Sequence, residues 1–137
     1  MVIEVVIQKR LEKIVEYLTL LRAQQPVPFE RFAKVPEHYA LVERFLHLAV
    51  EACIDVGAHI VSQKKLGDVD VMRDIPKALR DANIIDAQCA ETFLSMIGFR
   101  NILVHDYTKI DRALVYQVLQ HKLEDLEKLS KIFSKFI

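Results

Sequence analysis

Residues 36–65 read PEHYALVERFLHLAVEACIDVGAHIVSQKK and predict a long amphipathic helix. Apolar residues recur there at steps of three and four, a spacing that places them along one side of an α-helix. Gly67 lies just past the end of this pattern, where a helix commonly has a glycine cap. The predicted core stripe consists of Leu46, Ala49, Cys53, Val56 and Ile60.

The rest of the chain also shows helical periodicity, and no stretch alternates as a β-strand does. Long helices are predicted for residues 2–23, 86–105 and 111–137, and a short one for residues 74–83. Pro26 and Pro28 end the first helix because proline lacks the amide donor. Asp74 and Asp111 are suitable N-caps for the short helix and the last helix. We therefore expect an all-α protein: one domain over residues 1–137, an antiparallel four-helix bundle with one additional short helix.

Composition narrows the class of protein. The chain has 137 residues, 52% of them hydrophobic, and only three Gly and four Pro, too few turn residues for an all-β sandwich or barrel. Lys+Arg and Asp+Glu are equal at 19 each, which disfavours broad coating of nucleic acid. Cys53 and Cys89 stand far apart, as buried thiols of a reducing cytoplasm do. No apolar run predicts a membrane span, and the apolar termini favour a homodimer.

Several polar residues lie at the end of the helix predicted for residues 86–105, in the segment 98–107, GFRNILVHDY. Arg100 and His105 are five residues apart, so on a continuous helix they point about 140° apart and lie ~7.5 Å apart in height. Asn101 and His105 are four apart and share a face. A simple alternative is a helix C-terminus whose cations complement the helix dipole, followed by a turn that contains Tyr107.

A polar stripe replaces an apolar one halfway along the helix predicted for residues 36–65. Glu51, Asp55 and His59 follow one another at steps of four. Two carboxylates and a histidine at this spacing could bind a metal, although no fourth ligand is apparent. Alternatively, Asp55 accepts a hydrogen bond from Arg100 or His105 as a supporting residue, or it belongs to a dimer seam. The stripe could also be a solvated face. The remaining histidines, His38, His47 and His121, have no such neighbours in the sequence and are interpreted as surface or packing residues.

The segment Arg100-Asn-x-Leu-Val-His105-x-Tyr107 resembles the signature of HEPN-domain ribonucleases, and most closely that of HepT-like toxins. Residues 48–62 (LAVEACIDVGAHIVS) and the helix opening at residues 110–116 extend the resemblance over nearly the whole chain. It implies a helical bundle that dimerises, so that two Arg-x4-His motifs form one metal-independent RNA-cleaving site. It also implies a minimal nucleotidyltransferase antitoxin that silences the toxin by attaching AMP to the motif tyrosine.

These implied roles fit the chemistry of the residues. A histidine such as His105 can act as a general acid or base at neutral pH, and the planar cation of Arg100 suits a phosphoryl group. The resemblance gives Tyr107 the role of AMP acceptor and leaves Asn101, Glu51, Asp55 and His59 as supporting residues. We therefore expect an endoribonuclease toxin that acts on tRNA or mRNA, with no metal or other cofactor beyond AMP from ATP as a covalent modification. The alternative is a catalytically inactive HEPN module that serves a nucleotidyltransferase as a dimeric nucleotide- or partner-binding subunit.

Overall fold

A computed structural model describes residues 2–105 and 110–137, and every regular element in those residues is an α-helix. The predicted all-α class is therefore confirmed. The described residues form seven helices: α1 (Val2–Arg22), α2 (Phe29–Lys34), α3 (Pro36–Gln63), α4 (Asp74–Asp81), α5 (Ala87–His105), α6 (Arg112–His121) and α7 (Leu123–Ser134).

Helix α3 forms the centre of the bundle and contacts α1, α2, α4, α5, α6 and α7. All five residues of its predicted stripe are buried, which confirms the periodicity argument. The stripe of α1 is buried as well: Ile7, Leu11, Ile14, Leu18 and Leu21. Helix α3 is also long and apolar enough to span a membrane by length and composition, but 56% of its most apolar window is buried inside the protein. Such burial is typical of the core helix of a soluble bundle.

The predicted last helix is two helices, so that part of the prediction was wrong. The chain breaks at Lys122, whose backbone angles (φ −117°, ψ −1°) separate α6 from α7. Lys122 interrupts the apolar stripe, and the break lets both helices turn their apolar sides to the core. The predicted cap at Asp111 is confirmed, because its Oδ1 accepts hydrogen bonds from the backbone N–H groups of Ala113 and Leu114 at 2.9 and 3.4 Å.

Three local features differ from the sequence prediction. Helix α2 was missed because six residues are too few to show periodicity, although its Phe32 is fully buried. Gly67 does not cap α3: Lys65 takes the left-handed conformation (φ 53°), and Leu66 N–H donates to the Val61 carbonyl. Asp74 lies inside α4 rather than before it, and its carboxylate accepts N–H groups from the preceding turn.

Candidate functional site

Arg100 points from α5 towards α3, where it meets Glu51. Its Nε donates to Glu51 Oε1 at 2.5 Å, and Nη2 pairs with the same oxygen. Its Nη1 donates to Asn101 Oδ1 at 2.9 Å. Only 13% of the Arg100 side chain is exposed, against 28% for Glu51. The guanidinium is therefore fixed by two hydrogen bonds and one further ion-pair contact at the edge of the α3–α5 contact.

The packing of α5 on α3 explains this placement. Phe99 and Leu103 are buried and hold this part of α5 against the core. On the facing helix, Ala52 and Cys53 are buried immediately after Glu51. Arg100 and Glu51 stand next to these buried residues and are themselves partly exposed, so both lie at the solvent edge of the contact between the two helices. A partly desolvated cation needs a counter-charge there, and Glu51 supplies it.

A histidine that the sequence reasoning set aside belongs to the same cluster. His47 Nε2 lies 3.4 Å from Glu51 Oε1, the oxygen that also accepts from Arg100. The signal was present in the sequence, because His47 precedes Glu51 by four residues and extends the polar stripe by one turn. The structure therefore corrects the interpretation of His47 as a surface or packing residue without functional neighbours.

Asp55 does not serve as the direct acceptor of Arg100. Its Oδ2 pairs instead with Arg10 Nε of α1, at 3.3 Å. Burial raises the pKa of the Asp55 carboxyl, and the negative charge of Glu51 adds to that, while the cations Arg10 and Arg100 oppose it. Of the interpretations of the polar stripe, the one with Asp55 as acceptor for Arg100 does not hold, because Glu51 lies opposite the guanidinium.

His59 lies apart from this cluster, further along α3. Its Nε2 is buried and has no hydrogen-bond partner within residues 2–105 and 110–137. The side chain borders a cavity that Glu4, Gln8 and Gln63 also line. Across the same described residues, no three His, Cys, Asp or Glu side chains are grouped so that they could hold a metal ion.

The two principal motif residues occupy different settings. Helix α5 continues to His105, its last residue, and His105 is exposed. On a continuous helix, residues five apart differ by about 140° in direction, so Arg100 and His105 face different sides of one protomer. Tyr107 lies outside the described residues. The structure thus brings together Arg100, Glu51, Asn101 and His47, and it leaves His105 at the end of the same helix.

Solved structures with the same fold identify the class of protein. One is the tri-AMPylated HEPN toxin of Shewanella oneidensis in complex with an MNT antitoxin, with a TM-score of 0.86 and 29% identity over 94% of this chain and 96% of that one. Another is a toxin–antitoxin complex with AMP-PNP, with a TM-score of 0.84 and 29% identity over 93% of this chain and 96% of that one. The bundle is therefore a HEPN toxin fold.

The amino-acid sequence identifies the family within this class. Residues 7–132 match the family described as ribonuclease HepT-like, and the chain belongs to that family. The mRNA nuclease HepT of Shewanella oneidensis is 40% identical over 83 residues, which cover 61% of this chain and 62% of that nuclease. The tRNA nuclease HepT of Aphanizomenon flos-aquae is 30% identical over 120 residues, 88% of this chain and 82% of that nuclease. The predicted family and its enzyme class, ribonuclease, are thereby confirmed.

Proposed function

We propose that this chain is the endoribonuclease toxin of a HEPN/minimal nucleotidyltransferase pair and cleaves tRNA or mRNA in the cytoplasm without a metal ion. The observation that carries the proposal is the fixed guanidinium of Arg100, held by Glu51 and Asn101 five residues before the exposed His105. Two HepT nucleases and two toxin–antitoxin complexes among its relatives support it.

Cleavage needs a proton acceptor, a proton donor and a cation at phosphorus. The ribose 2′-hydroxyl attacks the adjacent phosphorus, a 2′-O–P bond forms and the P–O5′ bond breaks. His105 accepts the 2′-hydroxyl proton or donates a proton to the departing 5′-oxygen, a role that an imidazole side chain commonly has in catalysis. Arg100 binds the phosphoryl oxygens and stabilises the charge that develops on them.

A homodimer would complete this site. Arg100 and His105 point to different sides of one α5 helix, so a single protomer does not readily place both on one phosphate. Two copies related by a two-fold axis bring each motif twice to the same cleft. One His105 then acts as the base and the other as the acid, while Arg100 from either copy clamps the phosphate.

Regulation would act two residues beyond His105. The partner nucleotidyltransferase transfers AMP from ATP to the Tyr107 hydroxyl, so that a P–O bond to tyrosine forms and pyrophosphate leaves. Each added AMP carries negative charge and bulk next to the cleft, where it repels and excludes the RNA phosphate. The Shewanella toxin of the same fold is tri-AMPylated in its antitoxin complex.

The direct test is RNA cleavage by the purified chain. We expect His105→Ala to lower the rate by about 10²- to 10⁴-fold, the usual contribution of a general acid or base. Co-expression with a minimal nucleotidyltransferase encoded beside this chain should add AMP to wild type and not to Tyr107→Phe, as measured by mass spectrometry. Full cleavage by His105→Ala in metal-free buffer would contradict the catalytic assignment.

A second candidate function is the inactive dimeric HEPN module. It is favoured by one observation: Arg100 already has an internal carboxylate partner and is only 13% exposed, as a structural ion pair would be. Arg100→Lys separates the two functions, because it keeps the charge and loses the planar fork. A catalytic clamp predicts loss of cleavage with the fold retained, whereas a structural role predicts lower stability in a chain that never cleaved RNA.

A further inference from the structure

A groove runs between α1 and α3 and ends at the candidate site. Lys9, Arg10, Lys13 and Tyr17 line its α1 side, and Leu48 and Glu51 line its α3 side. Glu51 is the same residue that accepts a hydrogen bond from Arg100 Nε and pairs with its Nη2. The groove and the predicted phosphate clamp therefore share one wall.

The charges that line this groove are mostly positive. Three of its side chains are cations on one side of α1, at steps of one and three, and the single carboxylate, Glu51, is already paired with Arg100. Lys13 pairs with Glu16 at 3.1 Å and Arg10 with Asp55 at 3.3 Å. These cations are 55% and 49% exposed, and ion pairs so open to solvent contribute little to stability. An RNA phosphate can therefore exchange with the carboxylates at little cost.

The groove also offers an aromatic and apolar wall. Tyr17 is half-buried and packs on Phe45, with 5.6 Å between the ring centroids. Leu48 continues this wall on α3, one turn before Ala52. Proteins that bind single-stranded nucleic acid combine a cationic groove with aromatic rings on which bases stack. This groove contains both elements, and its lining residue Glu51 contacts Arg100.

We propose that the α1–α3 groove binds the single-stranded RNA that flanks the phosphate held by Arg100. Lys9 and Lys13 contact backbone phosphates, and the exposed part of Tyr17 stacks with a base. This subsite gives the enzyme affinity for RNA without a net positive charge of the whole chain, since three cations line one groove. The proposal rests on the proposed function and adds to it the position of the substrate strand.

The first test measures how RNA affinity depends on salt. A fluorescein-labelled single-stranded RNA of mixed sequence is titrated with the full-length His105→Ala protein, which should cleave RNA too slowly to disturb the titration. The same titration is repeated with Lys9→Gln/Lys13→Gln added to this protein. Each phosphate contact to a single strand contributes about 0.7 to the slope of log K against log salt. We expect the double variant to reduce the slope by about 1.4.

Helix α7 provides a matched control. Lys128 and Lys131 are three residues apart and exposed, and Lys131 pairs with Glu127 at 3.1 Å much as Lys13 pairs with Glu16. Lys128→Gln/Lys131→Gln removes the same charge at a different surface and should leave the slope unchanged. Equal slopes for the two double variants would overturn the proposal.

The second test concerns stacking. Tyr17→Phe keeps the ring and should bind RNA as wild type does, whereas Tyr17→Leu should bind it roughly tenfold more weakly. Circular dichroism melting verifies that both variants fold, and the lysine variants test the groove even if Tyr17→Leu does not. Unchanged RNA binding together with weaker binding of the neighbouring nucleotidyltransferase would assign the groove to a protein and overturn the proposal. Absence of RNA cleavage by wild type would instead count against the proposed function.

Discussion

Arg100 of α5 and Glu51 of α3 are 49 residues apart in the chain, yet Nε of one donates to Oε1 of the other at 2.5 Å. This contact joins the two helices at the predicted catalytic motif. The Glu51 carboxylate is bound to the guanidinium of Arg100, which is predicted to bind phosphate. It therefore orients the cation and also competes with an anionic ligand for it. His47, 3.4 Å from the same oxygen, makes Glu51 the centre of the cluster.

The first prediction concerns the stability that this contact provides. Glu51→Gln leaves Arg100, 13% exposed, with a neutral partner. Hydrogen bonds to charged groups are worth about 1.5–3 kcal/mol, so we expect the free energy of unfolding in urea to fall by about that amount. Glu16→Gln breaks an exposed pair with Lys13 and should lower the free energy of unfolding far less. Equal effects of the two variants would show that the Arg100 pair does not stabilise the fold.

A second prediction follows from Asp55. Burial raises the pKa of this carboxyl above its ordinary 3.8, so the folded state holds the proton to higher pH than the unfolded state does. Stability contributed by the protonated form is then lost as pH rises from 3.8 through the raised folded value. Urea unfolding across this range should show that loss in wild type and less of it in Asp55→Asn.

Glu127 provides the control of opposite sign. Hydrogen bonds from Arg22 and Lys131 lower the pKa of its carboxyl below the ordinary 4.5. Its contribution to stability is therefore present above pH 4.5 and lost as pH falls through the lowered folded value. Glu127→Gln should remove the loss of stability that wild type shows as pH falls below 4.5 in urea unfolding. If Asp55→Asn changes the pH profile in the same direction as Glu127→Gln, the stated cause of the Asp55 shift is wrong.

Periodicity predicted the helices that have long stripes, and it failed where a contact depends on how helices cross. The five apolar positions of α3 are buried as predicted, because a three–four spacing fixes one side of a helix. The sequence could not choose between Glu51 and Asp55 as partner of Arg100. These two lie one turn apart, about 6 Å, and only the position of α5 along α3 decides between them.

The contacts of α1 could not be predicted from the sequence for the same reason. Nothing in the spacing of Arg10 relates it to Asp55, since the pair depends on the packing of α1 against α3. The break at Lys122 had a visible sign, the interrupted stripe, but a single lysine in a stripe does not by itself show that a helix ends. The site roles of Arg100, His105 and Tyr107 stay predictions that rest on the resemblance.

The third prediction concerns the cysteines. Cys53 is fully buried in α3, and burial raises the pKa of its thiol to about 12. Burial also raises the pKa of Cys89, which is 7% exposed. Since the thiolate is the reactive form, an alkylating reagent at neutral pH should modify both only as fast as the protein opens. Labelling followed by mass spectrometry should be slow in buffer and rapid in urea; rapid labelling of Cys53 in buffer would contradict its burial.

The last prediction compares two helical glycines. A Cβ at Gly57 would lie 3.0 Å from Ile75 Cγ2 and 3.5 Å from Phe133 Cζ, so α4 and α7 pack directly on this part of α3. A Cβ at Gly98 of α5 would meet nothing within 4 Å. Alanine is favoured over glycine within a helix by about 1 kcal/mol, so Gly98→Ala should raise the free energy of unfolding by up to that amount.

Gly57→Ala makes the same gain in helix propensity but must displace Ile75, which is 2% exposed in the short helix α4. Overpacking of a core typically costs about 1–3 kcal/mol. We therefore expect Gly57→Ala to be at least about 1 kcal/mol less stable than Gly98→Ala in urea unfolding at the same protein concentration. Equal stabilisation by the two substitutions would mean that α4 shifts away from α3 without loss, and that the close approach at Gly57 is not needed to hold the short helix.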